Sequence, residues 1–112
     1  MKELTLAPMT GSEKQISWAR NIITEPYDTV ASLAESNAKK FAEYPAQDFN
    51  LRATIYREAA EMYADEYKKA AHLITKAAQV IDTRSSYKSM MNEMIRQIAL
   101  KHGATVTDIY RI

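Results

Sequence analysis

The stretch SSYKSMMNEMIRQIALKHG, residues 85–103, decides how this chain folds. Its Tyr87, Met90, Met91, Met94, Ile95, Ile98 and Ala99 fall at i, i+3, i+4, i+7, i+8, i+11 and i+12, one face of an α-helix. Ser85 or Ser86 can cap its start. Lys101 and His102 suit its C-terminal dipole, and Gly103 supplies a left-handed C-cap. A stripe of this kind needs apolar neighbours, so the rest of the chain is read for helices that could cover it.

Upstream, Asp48 to Asp82 contains neither glycine nor proline and carries a heptad-like pattern. Tyr56, Tyr63, Ala70 and Ala77 form one row, Ala59, Leu73 and Val80 a second, and Ala60, Tyr67, Ile74 and Ile81 a third. Glu66 interrupts the second row and is expected either to tilt into water or to bond a tyrosine hydroxyl. The pattern predicts a long third helix facing two neighbours. Unbroken, such a helix would run roughly 50 Å, longer than a compact domain of this size is across. It is therefore expected either to kink near Ala64 to Tyr67 or to project and pair with a second copy as a homodimer.

At the front, residues 1–9 read as an extended or disordered lead. Ser12 and Gln15 have the spacing of a reciprocal capping box. Ile16, Trp18, Ala19, Ile22 and Ile23 then make an apolar face, with Trp18 as its anchor. Pro26 predicts a helix boundary between Thr24 and Asp28. A second helix follows with Val30, Leu33, Ala34, Ala38 and Phe41 inward, and Pro45 closes it. Behind Gly103, the alternation of Val106, Asp108 and Tyr110 against Thr107, Ile109 and Arg111 fits a short edge strand or an extended arm. The expected fold is thus all-α: one helical domain over 1–112, a bundle of about four helices.

Composition agrees. Two glycines and three prolines in 112 residues leave a chain rich in helix formers. The absence of cysteine removes disulfides, thiolate metal sites and cysteine nucleophiles, and fits a reducing cytosol. No apolar run reaches membrane-spanning length and the front lacks a secretory signal, so a soluble cytoplasmic protein with no membrane partner is expected. Charge is divided unevenly. Residues 1–66 hold seven Lys/Arg against eleven Asp/Glu, and 67–112 hold eight against three.

For catalysis the residues offer little. No phosphate-binding loop, dinucleotide fingerprint, zinc-protease helix or nucleophile elbow occurs, and His72 and His102 lack a ligating partner at i+3 or i+4. No catalytic residue, metal or cofactor is assigned. The chemistry that remains is surface charge. Glu58, Glu61 and Asp65 form an acidic ridge that could occupy a basic groove on a partner. Its plainer reading is helix-dipole complementarity with Lys68, Lys69 and Lys76, Asp65 and Lys69 pairing at i,i+4. Alternatively Lys68, Lys69, Lys76, Arg84 and Lys88 could line a nucleic-acid surface. Tyr56, Tyr63 and Tyr67 are expected at the core edge with their hydroxyls at its rim, and Met90, Met91 and Met94 inside it.

GSEKQISWA at residues 11–19 resembles the G-S-x-K-Q-x-x-W-A opening of small uncharacterised proteins of bacterial genomes, prophages and plasmids. Ile81-Asp82-x-Arg84 is similar to the W-W-I-D-x-R element near their end, with Gln79 and Val80 in place of the two tryptophans. Arg20 and Ile23 also depart from the pattern. The resemblance implies a mobile-element origin and no particular activity. Small helical phage proteins often act by stoichiometric binding to a host protein, inhibitors of CRISPR effectors among them. The functional expectation is accordingly a non-catalytic interaction protein that masks a host or phage protein. A nucleic-acid-binding accessory protein is the alternative.

Overall fold

The computed structural model describes residues 1–45 and 47–104, and every regular element among them is helical. Helix α1 spans Glu13–Glu43, α2 Gln47–Ala70, α3 Ala77–Asp82 and α4 Arg84–Lys101, with a 3₁₀ turn at Ala71–Leu73. The expected all-α bundle is present, but the longest helix is the first, not the third. The tail that reads as a strand or arm lies outside the described residues.

Helix α1 starts as its sequence specifies. The Gln15 amide donates to Ser12 Oγ at 3.2 Å and the Ser12 amide to Gln15 Oε1 at 3.1 Å. It then continues through Pro26 for 31 residues, where the sequence predicts a boundary. Proline inside a helix costs roughly 3 kcal/mol, because it lacks an N–H and its ring crowds the carbonyl four residues back. Burial of one continuous face offsets that cost. Ala19, Ile23, Pro26, Val30 and Ala34 are all buried, and they share one face only if the helix is continuous. Across the core, the Tyr63 hydroxyl donates to the Ile23 carbonyl at 2.6 Å, beside the carbonyl that Pro26 deprives of its donor.

Helix α2 returns antiparallel to α1. Tyr63 lies opposite Ile23, and near the turn the Lys40 ammonium sits 6.0 Å from the Phe49 ring centroid. Ala53, Ala59 and Ala60 are buried with Ile55, Tyr56 and Tyr63, so small residues let the helices approach while the tyrosines fill the space between them. The tyrosines lie deeper than the core edge: Tyr56 and Tyr63 have no exposure and Tyr67 3%. Their hydroxyls therefore need internal partners, and Tyr67 accepts the Ala7 amide at 3.0 Å.

The long third helix does not form. Its pattern is broken at Ala71–Lys76 rather than kinked at Ala64 to Tyr67. The cause is the chain's own front. The Thr10 amide donates to the Thr75 carbonyl and the Ala77 amide to the Thr10 carbonyl, each at 2.9 Å, so this backbone serves a parallel bridge between Lys76 and Thr10. Turning there brings Ala77 and Val80 against Ala19 and Ile23, with Met9 and Tyr67 completing a small second core. Leu73, expected inward, is left 65% exposed. Glu66 points outward and pairs with Lys69 at 3.3 Å, taking the lysine expected to serve Asp65. With the long helix gone, the premise for a dimer through it goes too.

Residues 1–11 are thus an ordered strap rather than a disordered lead. Besides the bridge, Tyr27 donates its hydroxyl to the Lys2 carbonyl at 2.6 Å, and Leu4 packs against both cores. Gly11 makes the turn from strap to helix at φ +146°, a conformation that favours glycine.

Helix α4 buries the stripe its sequence announces: Met91, Met94, Ile95, Ile98 and Ala99 are buried, with Tyr87 and Met90 packed beside them. Its start differs from expectation. Thr83, not Ser85 or Ser86, occupies the cap position, and its hydroxyl turns back to the Gln79 carbonyl at 2.9 Å. Its end is as expected. Gly103 adopts φ +74°, the Ala104 amide reaches the Ala99 carbonyl at 2.8 Å, and the Gly103 amide reaches Leu100 at 3.0 Å. The molecule measures 48 × 24 × 20 Å, and the long dimension is close to the ~46 Å of a 31-residue helix.

Candidate interaction surfaces

Helices α1 and α4 run in the same direction and leave an open groove of about 500 Å³ between their N-terminal halves. Its floor is apolar. Trp18, Ile22 and Pro26 follow one another at four-residue steps on α1, forming a single ridge. Trp18 is not the anchor its sequence context suggests. Ala19 and Ile23 take the inward direction, and Trp18, about 100° further round the helix, stays 50% exposed. The opposite wall belongs to α4 and carries Arg84, Ser85 and Lys88.

Arg84 is held in place. Its Nη1 donates to the Ile81 carbonyl at 2.9 Å, ending α3, and its guanidinium carbon stands 5.8 Å from the Trp18 ring centroid. Lys88 on α4 and Glu25 on α1 reach the rim without an ion-pair partner among the described residues. Of the five bases read as a nucleic-acid set, only Arg84 and Lys88 share this groove. Lys69 pairs with Glu66, Lys68 lies in the last turn of α2, and Lys76 occupies the cap position of α3.

The acidic ridge exists, and the fold matches its charges. Glu58, Glu61 and Asp65 line one depression on α2 together with Lys2 and Lys101. Lys2 Nζ lies 2.7 Å from Asp65, and the Lys2 amide donates to Glu61 at 3.3 Å. Glu58 meets His102 Nε2 at 2.5 Å and Lys101 Nζ at 3.9 Å. The hydrogen bond from His102 holds the Glu58 carboxyl below its ordinary value against a smaller opposing effect of burial. Lys2 does the same to Asp65. Neither partner could be read from spacing along the chain, because Lys2 is 63 residues from Asp65 and His102 is 44 from Glu58.

A carboxylate whose folded pKa is depressed adds stability above its ordinary pKa and loses it as pH falls through the folded value. Glu58→Gln is therefore expected to cost ~0.5–1 kcal/mol at neutral pH, the scale of a partly exposed ion pair. Urea midpoints of wild type and variant should converge as the pH drops below the carboxylate range. Parallel curves down to acid would remove the ion pair from the account.

Among the described residues no three His, Cys, Asp or Glu side chains gather to hold a metal ion, and no helix is long and apolar enough to cross a membrane. His72 is exposed on the turn after α2. A comparison with family models, curated proteins and solved structures finds no match to this chain.

Proposed function

We propose that the protein is a non-catalytic interaction protein that binds and masks a surface on another protein, of host or phage. One observation carries the reading. The chain's single tryptophan is left half exposed in an open groove beside two cations, while Ala19 and Ile23 on the adjoining face of α1 are drawn into the core. Tryptophan and arginine dominate the energetics of protein interfaces, tryptophan through a large rigid contact area and arginine through a planar, multidentate cation. The pinned Arg84 leaves that part of the surface preformed, which lowers the cost of binding.

The acidic ridge is a weaker binding surface than its sequence suggests, because Lys2, Lys101 and His102 already occupy its carboxylates. Charge reversal at Glu58 or Asp65 acts on the fold before it acts on a partner.

The purified protein is expected to co-elute with one protein from its native host and to inhibit it at near-equal stoichiometry. An extract from which it retains no specific protein would argue against the reading. Mobile-element origin, and with it inhibition of a CRISPR effector, rests on the resemblance at residues 11–19.

A further inference from the structure

We infer that the occupant of the α1–α4 groove is an acidic amphipathic segment of the partner protein, carrying bulky apolar side chains with carboxylates beside them. The inference rests on the masking reading above and names the chemistry of the partner.

The floor of Trp18, Ile22 and Pro26 advances by one helical turn per residue, about 6 Å each, and is wide enough to take successive apolar side chains of a helix or extended strand. The rim selects by charge. Arg84 stands fixed over the tryptophan, and Lys88, one turn further along α4, has no anionic neighbour within ion-pair distance among the described residues. An incoming carboxylate completes both. A nucleic-acid strand fits less well, because Glu25 faces the same groove and would meet a continuous row of phosphates. In a peptide, Glu25 can accept a backbone amide or a basic side chain, and the rim hydroxyl of Ser85 can serve the main chain.

Because Trp18 is the only tryptophan, its emission reports directly on the groove. Random peptides displayed on phage are selected on the intact protein, and the recovered sequences are titrated as synthetic peptides against Trp18 fluorescence. Single-stranded DNA and charge-reversed peptides are run in parallel. Selected peptides should combine a bulky apolar residue with acidic neighbours, shift the tryptophan emission, and weaken as salt rises. Their affinity should fall by ~10-fold or more in Trp18→Ala, read by calorimetry, and by a similar factor in Arg84→Glu and Lys88→Glu. All three positions are exposed, and circular dichroism checks that each variant keeps its fold. Basic selected sequences, binding indifferent to the three substitutions, tighter binding of DNA, or no selected binder would each overturn the inference. Capture of a native partner that survives all three substitutions would overturn it too while leaving the masking reading intact. Failure to capture any partner, with acidic peptides selected as expected, would remove the masking reading instead.

Discussion

Tyr63→Ala is expected to lower the unfolding free energy by ~3–5 kcal/mol, the range for deleting a large aromatic side chain from a packed core. Tyr63 is fully buried in the C-terminal half of α2 and belongs to the core that α1 and the stripe of α4 share. Its loss leaves a cavity that the paired helices can close only by moving together. Tyr63→Phe separates the ring from the hydroxyl. It keeps the ring and removes one of two donors to the Ile23 carbonyl, which the Tyr27 amide can still serve within α1, so a loss of ~0.5–1.5 kcal/mol is expected, the net worth of a typical hydrogen bond. Burial pushes the Tyr63 phenol above its ordinary pKa, so the hydroxyl keeps its donor proton at neutral pH. Both values come from urea denaturation followed by circular dichroism. A Tyr63→Phe variant as stable as wild type would show that the hydroxyl bond has no net energetic weight.

Gly11→Ala is expected to cost ~2–4 kcal/mol, a sum of backbone strain of ~1–3 kcal/mol and the capping bonds it disturbs, ~1 kcal/mol. A Cβ at Gly11 would stand 3.1 Å from Ala77 Cβ and 3.1 Å from Gln15 Oε1 at φ +146°. The methyl group therefore presses on the strap's contact with α3 and on the capping box together. Two comparisons isolate the terms. Ser12→Ala removes the side-chain cap alone and should cost only ~1 kcal/mol. Gly103→Ala takes the same kind of substitution to φ +74° with nothing within 4 Å, so it should show strain without collision. If Gly11→Ala and Gly103→Ala lose equal stability by thermal melting, the close approach of Gly11 to Ala77 has no energetic weight.

The strap also explains why the segment between α2 and α4 was harder to read than the first turn of α1 or the buried stripe of α4. Capping boxes and amphipathic stripes are local. Ser12, Gln15 and the apolar run from Tyr87 to Ala99 lie within one helix each, and their structure follows from spacing alone. The break at Ala71–Lys76 has no local signal, since no glycine or proline marks it. It arises from two hydrogen bonds to Thr10, a residue more than 60 positions away. Pro26 gives the opposite error. A strong local breaker is overridden because Ile23 and Val30 gain more by staying on one buried face than the helix loses at one carbonyl.

The groove was half legible. Arg84 and Lys88 stand out as bases, and Trp18 as the only tryptophan, but nothing in their spacing puts them together. Only the docking of α4 beside α1 does so. The acidic ridge was legible as a row of like charges on one helix face. The pairing of its carboxylates was not, because Lys2 and His102 reach it from the two ends of the described chain.

By itself, then, the order of residues determined the helical class, the buried face of α4, the cap of α1 and the positions of exposed charge, because each depends on residues within a turn or two of one another. Tertiary structure alone decided that α1 runs on through Pro26 and that the third helix breaks at Ala71–Lys76, which tyrosines are buried, and which charges meet. Those outcomes are set by contacts between distant residues, whose energies outweigh local preferences of about 1 kcal/mol per position.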